Sequence, residues 1–207
     1  SRSGLELFDF PNDFGMLVAG ALVHDRLTGV RLLGTACRRT WDEAALKATA
    51  EAFQLRCIAV DLLDGDAPIH RAAACAGALM PWRPDRDYLA VYRPDWRDLR
   101  DQLCHIQLYL DPSTGPILDA QLSRAREAAT SDDRLSTVEG SLVARLLREG
   151  FDVIAVELTT ADVRAAGLVV VRAVVPGMYS NAPAAFPFLG GRRLQRHDSP
   201  IPPLPYA

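Results

Sequence analysis

Four polar side chains, Glu43, Lys47, Glu51 and Gln54, recur every three or four residues in a stretch that is otherwise rich in alanine. At about 100° per residue they fall on one side of a helix over residues 41–60. Such a row has two readings. It is a solvated face whose i,i+4 Glu–Lys pairs each contribute a few tenths of a kcal/mol. Alternatively, it is one wall of a nucleotide site, with Glu51 and Glu43 as oxygen ligands to Mg²⁺. Magnesium takes one or two carboxylates and completes its shell with phosphate oxygens and water. The spacing by itself leaves both readings open. Arg56 falls about 140° from Glu51 on a regular helix, so the two do not easily address one ligand. Lys47 is expected to pair with one of the carboxylates. The neighbouring stripe of Leu46, Ala50, Phe53, Cys57 and Val60 reads as the face that enters the core.

Elsewhere the chemistry-bearing residues are scattered. Cys37, Cys57, Cys75 and Cys104 form no CxxC pair, and His24, His70, His105 and His197 are equally dispersed. Neither set has zinc-site spacing. Buried thiols in a reducing compartment are the expectation, and His105 reads as a core histidine on a strand. Arg192 and Arg193 follow a Gly-Gly turn; they are either an exposed basic pair or a contact to phosphate.

The elements that position these residues follow from periodicity and turn chemistry. Leu5–Phe10, Met16–His24 and Val30–Thr35 read as strands, the last two joined by Asp25–Gly29 as a hairpin. Thr40 followed by Glu43 is a capping box that opens the helix. Residues 61–95 hold clustered Gly, Pro and Asp around one short helix at 68–79. A helix is expected near 95–103, a strand over His105–Leu110, and helices near 116–128 and 134–149. Val153–Leu158 and Leu168–Val175 are expected strands around a single turn at 160–166. Strands, then helices, then strands point to an α+β fold, a mixed sheet packed with helices. The domain reading is a body over 1–178 and an irregular proline-rich tail over 179–207.

The chain has 207 residues, 49% hydrophobic and 24% charged, with a net charge of −3. Lys47 is the lone lysine among its 23 basic residues. An acidic balance argues against nucleic acid as a partner, which would need a concentrated basic face. No apolar run reaches the roughly 18 residues of a membrane span. A cytoplasmic protein is the expectation.

Several of these segments together resemble the YcaO family. Gly34-Thr35-Ala36-Cys37 followed by Glu51-x-x-Gln54-x-Arg56 looks like its second nucleotide-binding segment, a small-residue turn leading into a helix that bears Glu-x-x-Gln-x-Arg. Asp9–His24 is similar to the strand pair before that turn. Gly150–Val163, Gly167 and Val170–Gly177 resemble the late strand–turn–strand that ends in Val-Pro-Gly. Leu189-Gly-Gly-Arg192-Arg193-Leu194 then precedes the proline-rich terminus Ser199–Ala207.

The resemblance implies ATP- and Mg²⁺-dependent chemistry on a peptide backbone amide. The amide oxygen, a poor leaving group, is phosphorylated so that it leaves, giving azolines, thioamides or amidines in ribosomal peptide natural-product biosynthesis. It implies Glu51, Gln54, Arg56, Arg192 and Arg193 as nucleotide-binding residues, Glu51 and Glu43 as metal ligands, and the terminal carboxylate of Ala207 as a base. The implied partners are a precursor peptide, and a complementary N-terminal half, a full-length YcaO protein or a leader-binding protein, in an oligomeric assembly. The chain departs from the family in length. The family's first half carries a Ser/Gly-rich segment and a Glu-x-x-Glu-Arg helix, and residues 1–33 resemble neither. The chain therefore reads as the C-terminal half of the domain. Asp61–Asp66 also lacks an arginine that many relatives carry. An inactive scaffold or regulatory partner of a full-length enzyme is the alternative.

Overall fold

Asp25 organises the first reversal of the chain. Its main chain brackets the turn, accepting from Gly29 N at 2.8 Å and donating to Val30 O at 2.9 Å. Its Oδ1 accepts from Leu27 N at 2.9 Å. Gly29 sits at φ +75°, a conformation that residues with a Cβ rarely adopt. This hairpin joins β2 (Leu17–Asp25) to β3 (Arg31–Arg38), and β1 (Ser3–Asp9) completes an antiparallel sheet of order β1-β2-β3. The β1–β2 connection is held by Asn12, whose Oδ1 accepts from Met16 N at 3.1 Å and whose Nδ2 donates to Met16 O at 2.8 Å. The computed structural model describes residues 3–12, 14–76, 79–129, 140–178, 181–186 and 202–205. It divides into two compact units, Ser1–Val138 with Asn181–Pro187 and His197–Ala207, and Glu139–Ser180 with Phe188–Arg196.

In the first unit the alternation of strand side chains gives the sheet two buried faces. Ala19, Ala21 and Val23 of β2 and Ala36 of β3 pack against Ala44, Ala48 and Ala52 of α1 (Trp41–Leu63). Phe8, Leu22 and Leu33 belong to a larger cluster with Leu118 and Leu122 of α4 (Gly115–Ala129) and with Tyr88, Tyr92 and Leu99. Arg126 of α4 reaches Glu6 at 2.8 Å and Asp119 at 2.9 Å, and Arg31 of β3 meets Asp119 at 2.6 Å.

α2 (Pro68–Ala76) and α3 (Gln102–Leu108) follow, and both contact α1. The expected strand over His105–Leu110 is a helix and its following turn, opened by Asp101, whose side chain accepts from Leu103 N at 2.8 Å. Residues Cys104–Asp111 are all buried, and a run buried all round has no period that separates strand from helix. The expected helix near 95–103 is instead a set of turns up to that cap. Gln107 pins the proline-rich loop: its amide takes Met80 N at 3.0 Å, gives to Met80 O at 2.9 Å and accepts from the Tyr92 hydroxyl at 2.5 Å.

The second unit holds α5 (Leu142–Arg148), β4 (Ile154–Glu157), α6 (Ala161–Ala165) and β5 (Val171–Val174). β4 and β5 pair antiparallel, Ile154 opposite Val174, with α6 as the expected single turn between them. All eight strand residues are exposed.

Candidate functional site

α1 carries the candidate site, and its position is set at its start and along its base. Thr40 caps it, accepting from Glu43 N at 3.3 Å, with Asp42 and Glu43 in the first turn. Acidic residues there complement the helix dipole. Along the base, Gly34 of β3 lies directly under the helix backbone. A Cβ at Gly34 would stand 2.0 Å from Ala48 O and 2.5 Å from Ala52 N. Helix and strand approach this closely because Gly34 faces a seam of alanines.

That seam corrects the expected orientation of α1. The buried residues are Ala44, Ala48, Ala52, Leu55, Ala59 and Leu62. The stripe assigned to the core, Leu46, Phe53, Cys57 and Val60, faces outward, Leu46 being 74% exposed. Larger residues cannot occupy the seam without prising the helix off Gly34. Gly34–Cys37, expected as a turn, lies within β3. The expectation of buried thiols also fails for Cys37 and Cys57, which are exposed, and holds for Cys104.

The polar row lies on the same outward side. Glu43 and Gln54 are exposed. Lys47 Nζ stands 3.1 Å from Glu51 Oε1, an i,i+4 pair in which both side chains keep a third or more of their surface in solvent. Glu51 and Gln54, three residues apart, are neighbours on the helix surface, whereas Glu43 lies about 12 Å further along the axis. Glu51 and Gln54 can therefore address one ligand, with Lys47 beside them.

Arg56 points elsewhere. Its Nε and one terminal nitrogen both stand 2.7 Å from Oδ2 of Asp25, a residue 2% exposed. Burial alone would raise the Asp25 carboxyl; the Leu27 N–H, the Arg56 guanidinium and the Thr28 N–H outweigh it and hold the group below the usual carboxylate range. Arg56 thereby ties the middle of α1 to the β2–β3 turn. Sequence reading missed Asp25 as the partner of Arg56, because only the fold brings residues 31 positions apart together. The expected candidates Arg192, Arg193 and Ala207 lie outside the described residues.

His105 is buried, with Nε2 accepting from Ala184 N at 3.0 Å. Burial pushes its imidazole down to about 4, the Leu204 main chain opposing the shift. It is a packed, neutral histidine remote in sequence from the α1 row.

The comparison with known families decides what this helix belongs to. A sequence model described as YcaO cyclodehydratase, ATP- and Mg²⁺-binding, matches residues 2–179. The chain belongs to the YcaO family. A solved structure described as a heterocyclase in complex with substrate and cofactor is similar to this YcaO chain over 86% of its length, at 15% identity and a TM-score of 0.44. The chain spans 21% of that heterocyclase. No curated protein matches it.

ATP and Mg²⁺ are the cofactors in the family's description, and the α1 row has a suitable donor set. It offers a carboxylate of the kind that binds Mg²⁺, an amide that can hydrogen-bond and an ammonium held by the carboxylate. Among the described residues, no three His, Cys, Asp or Glu side chains are grouped to hold a metal ion by themselves. A Mg²⁺ on Glu51 would take its other ligands from phosphate and water, as this ion commonly does. No helix among the described residues is long and apolar enough to cross a membrane.

Proposed function

We propose that this chain supplies the α1 wall of the Mg²⁺–ATP site in a YcaO-type enzyme that activates peptide backbone amides. Bound ATP would supply the phosphoryl group that turns the amide oxygen into a leaving group. Glu51 is the metal ligand, Gln54 a hydrogen-bonding contact to the nucleotide, and Lys47 orients Glu51 through the 3.1 Å pair. Glu43, about 12 Å further along the axis, is the weaker metal candidate and does not share an ion with Glu51. Preorganised charge of this kind works when it is fixed before reaction, and the Gly34 seam and the Arg56–Asp25 pair fix α1.

The observation that carries the proposal is the company the polar row keeps. Leu46, Phe53 and Val60, 74%, 41% and 43% exposed, form an outward stripe of α1 next to the Glu43–Gln54 edge of the row and 140–180° around the helix from Glu51. A face made only to meet water has no use for three large apolar side chains in line. We assign its cover to a partner, either a complementary N-terminal half or a full-length YcaO protein, which would add the remaining phosphate and metal contacts. A precursor peptide is the proposed substrate. Arg192, Arg193 and the Ala207 carboxylate are further candidates for phosphate binding and proton abstraction.

One observation favours the inactive scaffold as a second reading. Arg56 is held by Asp25, so the third member of the Glu-x-x-Gln-x-Arg segment is committed to structure. The test is to purify the chain with its native partner and measure ATP turnover with and without the peptide. The assembled complex should turn over ATP and the lone chain should not. In the complex, Glu51→Gln should abolish Mg²⁺-dependent nucleotide binding. Turnover by the lone chain overturns the shared site, and unchanged nucleotide binding in Glu51→Gln removes the ligand role.

A further inference from the structure

Between two stretches of unit 2, Glu139–Ser180 and Phe188–Arg196, the chain returns to unit 1 over Asn181–Pro187. Residues 181–186 form a short strap with little apolar anchorage. Ala182, Ala184 and Ala185 are half-buried, Ala184 against the larger core cluster, and Phe186 is 59% exposed. Hydrogen bonds therefore carry a large share of its attachment. Ala185 N donates to Leu99 O at 3.0 Å, and Phe186 N closes a turn on Pro183 O at 2.9 Å. Ala184 N donates to Nε2 of His105 at 3.0 Å.

Of these three acceptors, only the imidazole can change its protonation. An Nε2 that accepts an N–H carries a lone pair, so the ring is neutral with its hydrogen on Nδ1. His105 is 4% exposed, and Nδ1 has no hydrogen-bond partner. A proton added to Nε2 would set one donor against another, the Ala184 N–H, and would bury a charge. Both are costly away from water. Among the described residues, Asp101 at the head of α3 is the one charged side chain acting on the ring. It and the Leu204 main chain favour the charged form, and burial outweighs them. Neither the strap nor residues 202–205 contribute an ionisable side chain.

We propose that His105 is an acid-released latch, which fastens the 181–186 strap to unit 1 while its imidazole is neutral and frees it when the ring takes a proton from solvent. On release Nε2 carries the new hydrogen, the Ala184 N–H turns to water, and the charged ring becomes hydrated. The sheet and α1 stay in place, so the opening is local. The strap and the α1 row are separate features, and this inference does not depend on the nucleotide site.

Hydrogen exchange on the full-length chain tests it, read as protection factors corrected for the intrinsic pH dependence of exchange. An opening that takes the ring from about 4 to its unfolded 6.5 becomes about thirtyfold more favourable between pH 7.5 and pH 5. Protection at Ala184 and Ala185 should fall by about that factor. Ala21 and Val23, on the central strand, should remain at least about tenfold better protected than the strap at every pH. His105→Gln offers an oxygen near the position of Nε2 and does not titrate, so protection at Ala184 should then stay within about threefold across the window. Wild-type protection that does not change between pH 7.5 and pH 5 overturns the latch, with no variant needed. A fall of the same size in His105→Gln overturns it too. Equal protection of Ala184 and Val23 would mean that the strap opens only when unit 1 unfolds, which also removes the latch.

Discussion

Replacing Gly34 by alanine adds one methyl group to a strand and should be among the most damaging single changes in unit 1. The new Cβ would stand 2.0 Å from Ala48 O, 2.5 Å from Ala52 N and 3.0 Å from Ala48 C. All three are helix backbone atoms, so no rotamer change relieves the contact. Bringing the closest of them out to an ordinary 3.4 Å requires α1 to move by about 1.4 Å. That displacement loosens Ala44, Ala48 and Ala52 from Ala19, Ala21 and Val23. Overpacking of this kind costs about 1–3 kcal/mol, and the loosened seam adds to it. We therefore expect about 3 kcal/mol, a large share of an ordinary domain's stability.

Urea titration followed by circular dichroism is the assay, reading the midpoint at unchanged slope. Gly29→Ala is the control, because Gly29 has φ +75° and nothing within 4 Å of a new Cβ; it should cost about 1 kcal/mol through backbone strain alone. A Gly34→Ala loss no larger than that of Gly29→Ala would refute the claim that strand and helix backbones fix each other's height. A folded Gly34→Ala chain carries a functional forecast as well. Glu51 and Gln54 ride on the displaced helix, and a misplacement of about 1 Å can reduce catalysis on the order of 100-fold. Within the assembled enzyme, turnover should fall further than stability alone explains.

Three further outcomes follow from the same structure. His105, with its folded value pushed down to about 4 against 6.5 unfolded, binds its proton more readily in the unfolded chain; its contribution is complete above pH 6.5 and declines by about 3 kcal/mol as pH falls toward 4. Stability measured across that window should flatten in His105→Gln, and an unchanged slope would show that another group sets it. Asp25→Asn keeps an oxygen for Leu27 N but removes the counter-charge of Arg56, at a cost of about 2 kcal/mol at pH 7. Because the Asp25 carboxyl is held low, its contribution is present above the unfolded carboxylate value and disappears as acid protonates it, so wild type and variant should converge in urea titrations at low pH. A maleimide should label Cys37 and Cys57 on the native chain and reach Cys104 only on unfolding, read by mass spectrometry.

The sequence made the helix legible because its signals are local. Thr40 and Glu43 mark the start, and the alternating strands and Asp25–Gly29 turn mark the hairpin before it. Its rotation was not legible. Leu46, Phe53 and Val60 are the larger apolar residues, and periodicity alone points them inward. The deciding fact was the absence of a side chain at Gly34, which admits alanines and excludes leucines. The opposite error occurred at His105–Leu110, where burial on every side removed the period. Asp25–Arg56 and His105–Ala184 were beyond reach, since each joins residues that only the completed fold brings together.

The outward turn of the apolar stripe lets two variants separate cover from chemistry. Phe53 is 41% exposed, so Phe53→Asp removes nothing from the core of the lone chain, and its stability should change by no more than about 0.5 kcal/mol. If a partner covers α1, the same change buries a charge in an apolar contact, and association should weaken by at least tenfold in a calorimetric titration. Glu51→Gln is nearly the same shape and should leave association intact while removing Mg²⁺-dependent nucleotide binding from the complex. Protection of Cys57 from maleimide on complex formation supplies a third reading on the same face. A partner that binds Phe53→Asp as tightly as wild type docks away from the Leu46–Phe53–Val60 stripe of α1. The apolar stripe then gives no support to a covered site, and the nucleotide reading rests on Glu51→Gln alone.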